Sequence, residues 1–234
     1  MAIAPASVIH YPSRDGKPVA ETYDHLYALL TTLEALKQYL QHERGTVLAN
    51  QFLYYAQGYP RLRVAPDVMV IFGVEPGGRD NYKVWEEGHV PQVIFEFTSP
   101  STRNEDTGFK YQLYEQLGVQ EYWLFDPKAE WLTEQLQGYH LIHDLYRPVE
   151  PQAESGRFYS PRLKLFLRAE GKLLGFYNSV TGEKLLTPGE LATELDAEVT
   201  RRLEAEARAE ELARLLKRYQ EKFGDLPENG HANG

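Results

Sequence analysis

Leucine recurs at three- and four-residue spacing at Leu26, Leu29, Leu30, Leu33, Leu36 and Leu40, so residues 22–41 are predicted as an amphipathic helix. Gly45 stops it, and Thr46 to Tyr55 reads as a strand with a bend. Beyond the turn at Gly58-Tyr59-Pro60 lies a short apolar strand, Val68 to Phe72. Residues 73–91, rich in Gly, Pro and charge, read as a loop or flap. Gln92 to Thr98 reads as a central strand. Phe109, Leu113 and Leu117 give the next helix its stripe, and Gly118 is placed to cap it. Glu121 to Phe125 is a further strand, and a strand–helix–strand run of about 35 residues predicts a crossover onto a parallel neighbour.

Trp131 to Leu136 and Tyr139 to Leu145, split by Gln137-Gly138, are predicted as a hairpin. Leu163 to Leu167, Lys172 to Asn178 and Glu183 to Leu186 add further β elements, giving an α/β core with a mixed sheet. From Pro188 to Phe223 the pattern becomes one long charged helix, with Glu198–Arg202, Glu204–Arg208 and Glu210–Arg214 in the favourable four-residue orientation. Leu191, Leu195, Val199 and Leu203 lie on one arc of it, and Leu212, Leu215, Leu216 and Phe223 on another, unlike the unbroken seam of a coiled coil. The expected organisation is a core domain over 1–187, an accessory helix over 188–225 and a disordered tail over 226–234.

Composition narrows the chemistry. No cysteine is present, which excludes disulfides, thiolate nucleophiles and cysteine-based zinc sites. The N-terminal residues lack a basic segment followed by an apolar core, and no run approaches the roughly 18 apolar residues of a membrane span. A cytoplasmic protein with no membrane contact is expected. The formal charge of −9 argues against broad adhesion to nucleic acid but leaves nucleic acid open as a substrate. Arg44, Arg61, Arg63, Arg79 and Lys83 make a local patch only if folding gathers them; a scattered solvated surface is the alternative.

The candidate chemistry sits in two strands and the helix that follows. Glu96 is the only charge in the apolar run Val93 to Phe97, and a carboxylate there must be paired, hydrogen-bonded or metal-bound. Asp67 opens the other apolar strand, and Asp106 and Lys110 share a helix face four residues apart. Two strand carboxylates with a lysine nearby are the parts of a metal-dependent phosphodiesterase: Mg²⁺ takes one or two carboxylates plus a backbone carbonyl, and the lysine meets the phosphate or orients water. Each residue has a structural alternative. Asp67 can cap a turn, Glu96 can form a structural ion pair, Asp106 can answer the helix dipole and Lys110 can merely pair with Asp106. Glu34, on the flank of the first helix, is a further candidate carboxylate. His140 and His143 face opposite sides of a strand, which argues against a shared metal, and residues 73–78 lack the Gly-Lys-Ser/Thr of a phosphate loop.

The runs "APDVMVIF" and "PQVIFEFTSPSTRNEDTGFKYQLYEQLGVQEYWLFDP" resemble the Uma-two family of the PD-(D/E)XK nuclease superfamily, closely over Arg63 to Pro127. The resemblance implies a restriction-endonuclease-like core, a central mixed β-sheet flanked by helices, with the long C-terminal helix outside it. It implies Mg²⁺-dependent DNA cleavage, with Mn²⁺ as a substitute, and casts Asp67 and Glu96 as metal ligands and Lys110 as the catalytic lysine. One departure stands out: the superfamily lysine two residues after the acid is Thr98 here, so Lys110 would be a migrated lysine. The resulting expectation is a Mg²⁺-dependent endodeoxyribonuclease acting as a homodimer, since cutting both strands needs two sites about a twofold axis. The alternative is a catalytically idle nuclease-fold module that binds nucleic acid or a protein partner.

Overall fold

In the computed structural model, which describes residues 9–14, 16 and 21–224, the Thr22 side chain accepts from the His25 amide and starts helix α1 (Tyr23–Tyr39). The helix buries His25, Ala28, Leu29, Thr32, Ala35 and Leu36 and leaves Leu26 and Leu30 exposed. The predicted leucine stripe is therefore rotated. The buried face centres on Ala28, Thr32 and Ala35, with Leu29 and Leu36 at its edge, and this turns His25 inward.

Strands β1 (Gly45–Ala49) and β2 (Leu53–Tyr54) are separated at Asn50, whose φ of 53° makes the expected bend. Then come β3 (Arg63–Val64) and β4 (Val68–Phe72). The segment read as a loop contains β5 (Tyr82–Lys83) and a one-turn helix α2 (Val84–Glu87). Because β5 runs parallel to β2 and β3 antiparallel to it, a small three-stranded sheet forms there. β6 (Val93–Phe97) leads into a π-helical turn (Glu105–Lys110), which continues as α3 (Tyr111–Leu117) and ends at Gly118 with φ 81°. β7 (Glu121–Phe125) follows, parallel to β6 as the crossover pattern requires.

The hairpin of β8 (Leu136–Ile142) and β9 (Leu145–Pro148) turns at His143-Asp144, both with positive φ, and not at Gln137-Gly138. Gly138 is inside β8 for a packing reason: a Cβ there would overlap the Trp123 ring. β10 (Phe158–Ser160), β11 (Leu165–Glu170) and β12 (Leu173–Asn178) form a third sheet. The strand expected at Glu183 to Leu186 reduces to a single bridge between Tyr177 and Lys184. Helix α4 (Pro188–Phe223) has the limits its charge pattern predicts. The expected tail from 226 lies outside the described residues.

The architecture is mixed α/β. Among the described residues, six strands in the order β1-β4-β6-β7-β8-β9 make a central mixed sheet whose only parallel pair is β6–β7. One face packs Val93, Phe95 and Phe97 against α1 and the β10–β12 sheet; the other packs Ile94 among Leu113 and Tyr114 of α3. Glu121, buried in β7, accepts from Ser160 and from the Arg162 amide and so ties the third sheet to the central one. The chain separates into two compact units, residues 1–187 and 188–234, and α4 is the described element of the second. Among the described residues no helix is long and apolar enough to cross a membrane.

Candidate active site

The register of β4 on β6, with Val68 opposite Phe95 and Met69 opposite Ile94, extends one step to set Asp67 across from Glu96. Each acid holds the other's backbone. The Asp67 amide donates to Glu96 Oε2 at 3.4 Å, and the Phe97 amide donates to Asp67 Oδ2 at 2.7 Å. Strand alternation turns Glu96 to the same face as Ile94, where it is fully buried beneath the α3 layer.

From that layer Lys110 sends Nζ to within 2.9 Å of Glu96 Oε2 and 3.0 Å of Asp106 Oδ1. Tyr114, a further four residues along, donates its hydroxyl to Glu96 Oε1 at 2.7 Å. Asp106, Lys110 and Tyr114 thus share one inward face, and the π turn lies under the first two, a distortion common at functional sites. Tyr122 of β7 donates to the Asp106 carbonyl at 2.9 Å and fixes the turn from below. Asp106 is buried, so its first duty is not to the helix dipole at the surface.

Asp67 Oδ2 is also approached from α1. His25 Nε2 lies 3.7 Å from Asp67 Oδ2 and 3.5 Å from Glu21 Oε2, and its ring packs on Phe97. Neither His25 nor Tyr114 was singled out from the sequence. Tyr114 carried a usable signal, the four-residue spacing from Lys110; His25 was hidden by the assumption that the leucines set the buried face.

Electrostatics follow from burial and crowding. Burial pushes the Glu96 carboxyl above the usual carboxylate range; Lys110 pulls it back, while Asp67 and Asp106 push it further. Burial also lifts Asp106, again opposed by Lys110. For Lys110 burial disfavours the charge, but Glu96 and Asp106 outweigh it and hold the ammonium above its ordinary value. Burial likewise disfavours charge on His25, yet Asp67, then Glu21 and Asp106, keep it raised.

Among the described residues no three His, Cys, Asp or Glu side chains converge as ready-made metal ligands. The donor set nonetheless fits a hard divalent cation. Glu96 and Asp106 hold one lysine, Asp67 lies across from Glu96 on the next strand, both Asp106 carboxylate oxygens are buried without an aligned hydrogen-bond donor, and the Asp67 side chain keeps 15% of its exposure. Thr98 is buried with Oγ1 unpartnered among the described residues. Together with His25, Ser99, Asp126 and Trp131 it lines a cavity of about 80 Å³ beside the cluster. Glu34 is not brought in: it is half-exposed on the outer side of α1 and pairs with Lys37 at 3.0 Å. Of the basic residues, Arg63 and Lys83 are brought to either side of Tyr54 in the small sheet, while Arg44 pairs with Glu75, Arg79 with Glu87 and Lys83 with Glu86.

A buried acid pair on adjacent strands, with a helix-borne lysine beside it, is the site this mixed α/β fold builds. The family model of Uma2, described as "Putative restriction endonuclease", matches residues 8–164, and the chain belongs to this family. Among solved structures that match is a protein from Anabaena variabilis ATCC 29413, described as a putative nuclease belonging to DUF820. It is 16% identical, with a TM-score of 0.45, over 64% of this chain and 81% of that one. No curated protein matches.

Proposed function

We propose that the chain is a divalent-metal-dependent endonuclease that hydrolyses DNA phosphodiester bonds, with residues 1–187 as the catalytic domain. The observation that carries this reading is the Lys110 ammonium held between Glu96 and Asp106, with the Asp67 amide bonded to the same Glu96 carboxylate. Asp67 and Glu96 are the residues that would hold Mg²⁺, or Mn²⁺ in its place. When bound, the cation supplies charge neutralisation at the phosphate and lowers the pKa of a coordinated water. Lys110, held at the same carboxylate, would offer its charge to the scissile phosphate. Tyr114 keeps the second Glu96 oxygen aimed, and the Phe97 amide does the same for Asp67. In this reading two copies related by a twofold axis cut a duplex on both strands.

One observation favours the idle-module alternative: Glu96 is already satisfied by Lys110 and Tyr114, as a purely structural buried pair would be. Two measurements separate the readings. Wild type is titrated with Mn²⁺ and assayed for Mg²⁺-dependent nicking of supercoiled plasmid, alongside Glu96→Gln. The nuclease reading expects saturable Mn²⁺ binding and nicking, both lost in a folded Glu96→Gln protein. Unchanged Mn²⁺ affinity in that variant would falsify the site assignment, and Mn²⁺ binding without nicking of any DNA would favour the idle module.

A further inference from the structure

In a chain with 34 Asp and Glu residues and a formal charge of −9, the stretch from Gly45 to Pro66 contains no acid and two arginines, Arg61 and Arg63. It supplies β2 and β3 of the small sheet and ends one residue before Asp67. Four chain steps separate Arg63 from Asp67, so their Cα atoms lie at most about 14 Å apart.

Strand pairing decides what this sheet presents. Tyr54 of β2 stands opposite Arg63 of β3 and opposite Lys83 of β5, so the three side chains form a row on one face. The neighbouring partners Leu53, Val64 and Tyr82 turn the other way into the core. The cations of the row are held on aromatic rings. The Arg63 guanidinium lies 4.2 Å from the centre of the Phe52 ring, and its Nη1 donates to the Pro60 carbonyl at 3.0 Å and the Tyr54 hydroxyl at 3.4 Å. Lys83 Nζ lies 5.5 Å from the centre of the Tyr11 ring, which packs edge-on to Tyr54. Lys83 also pairs with Glu86 at 3.1 Å, a surface contact of the kind that holds weakly. Among the described residues no carboxylate pairs with Arg61 or Arg63, and Arg63 Nε and Nη2 donate no hydrogen bond. A guanidinium fixed by stacking, with donors to spare and no internal acid, is set for an external anion, and phosphate fits its planar fork.

We propose that the β3-β2-β5 sheet holds the phosphodiester backbone of the substrate beside the acids, with Arg63, Lys83 and Arg61 contacting its phosphates. This deepens the nuclease reading and rests on it for the choice of DNA as the polyanion. Charge complementarity carries it: an acidic chain keeps one acid-free stretch, and that stretch leads directly into Asp67.

Fluorescence anisotropy of a labelled DNA duplex, with the full chain in EDTA so that no metal supports cleavage, measures binding apart from chemistry. Arg61→Gln combined with Arg63→Gln is expected to bind at least about tenfold more weakly at 0.1 M salt, and to make the dependence of log K on log salt shallower by about 2, one unit per phosphate contact. Arg63→Lys keeps the charge without the planar fork and should fall between the two. Lys37→Gln, which removes an exposed cation paired with Glu34, should bind as wild type does. Circular dichroism checks each fold; Arg61 is exposed in the turn before β3, so Arg61→Gln alone, expected to lower the salt slope by about 1, decides the matter if the double variant does not fold. Unchanged affinity and slope in the folded arginine variants overturn the proposal, as does a wild type that binds no duplex. Displacement of the DNA by poly-glutamate as readily as by unlabelled duplex would make acidic protein the ligand and overturn it too. Plasmid nicking separates this result from the nuclease reading. Nicking by a wild type whose arginine variants bind DNA equally well removes this surface and leaves the nuclease. Binding that depends on the arginines in a wild type that does not nick keeps the surface and removes the nuclease.

Discussion

The Lys110 ammonium lies 2.9 Å from Glu96 Oε2, and the two residues come from different layers, a helix-forming turn and the middle of a central strand. Both are buried, so this is not the surface pair that a four-residue spacing from Asp106 first suggests. The distinction changes what mutation does.

Lys110→Ala leaves Glu96 and Asp106 as uncompensated buried carboxylates, and removing one partner of a buried pair costs about 3–5 kcal/mol. We expect a clear drop in melting temperature and no nicking of plasmid. Mn²⁺ should recover much of the lost stability, because a bound cation replaces the missing positive charge. Thermal melts of the variant with and without Mn²⁺ decide this; a melt insensitive to the metal would argue that Asp67 and Glu96 do not bind it.

His25 Nε2 lies 3.7 Å from the same Asp67 Oδ2 that accepts from the Phe97 amide, near enough to attract its carboxylate when protonated. Loss of such a supporting contact typically weakens metal binding by about 10–100-fold. His25→Ala should fall in that range by Mn²⁺ titration, and His25→Gln, which keeps a hydrogen-bonding group at similar reach, should lie between it and wild type. Equal affinities for all three proteins would remove His25 from the site.

Gly138 lies under the Trp123 ring, where an added Cβ has no room. Trp123 is fully buried and cannot tilt away without disturbing Phe158 and His140, which pack on it. Gly138→Ala should therefore destabilise the fold by about 1–3 kcal/mol, the range for overpacking. Urea unfolding measures it, and a midpoint equal to wild type would contradict the packing.

Glu170 on β11 is met by Lys184, Tyr177 and Arg168, which overcome the effect of burial and lower its carboxyl to about 2. A depressed carboxylate stabilises the fold at pH above its unfolded value, near the ordinary 4.5, and that stabilisation disappears as pH falls through about 2. Glu170→Gln should therefore melt below wild type at neutral pH, with the gap closing between roughly pH 5 and pH 2. A gap that stays constant over that range would mean the ion pairs are not its source.

Much of the outline was legible in the residues themselves because local rules govern it. Continuous apolar runs placed β4, β6 and β7, an apolar stripe placed α3 and charge spacing placed α4, and Gly118 closed α3 where a left-handed residue was required. Glu96 was conspicuous for the same kind of reason: one charge in an apolar strand must have a partner. What the chain alone could not state was which partner. The inward face of α1 was settled by packing that centres on Ala28, Thr32 and Ala35, and that rotation delivers His25 to Asp67. The hairpin turn moved to His143-Asp144 because Gly138 was needed beneath Trp123, a contact between neighbouring strands that has no trace in local sequence. Tyr114 acquired its bond to Glu96 only when α3 was laid across β6. Secondary structure responds to neighbours a few residues away, so sequence determines most of it; the contents of a buried site depend on which faces meet across layers, and only the tertiary fold decides that.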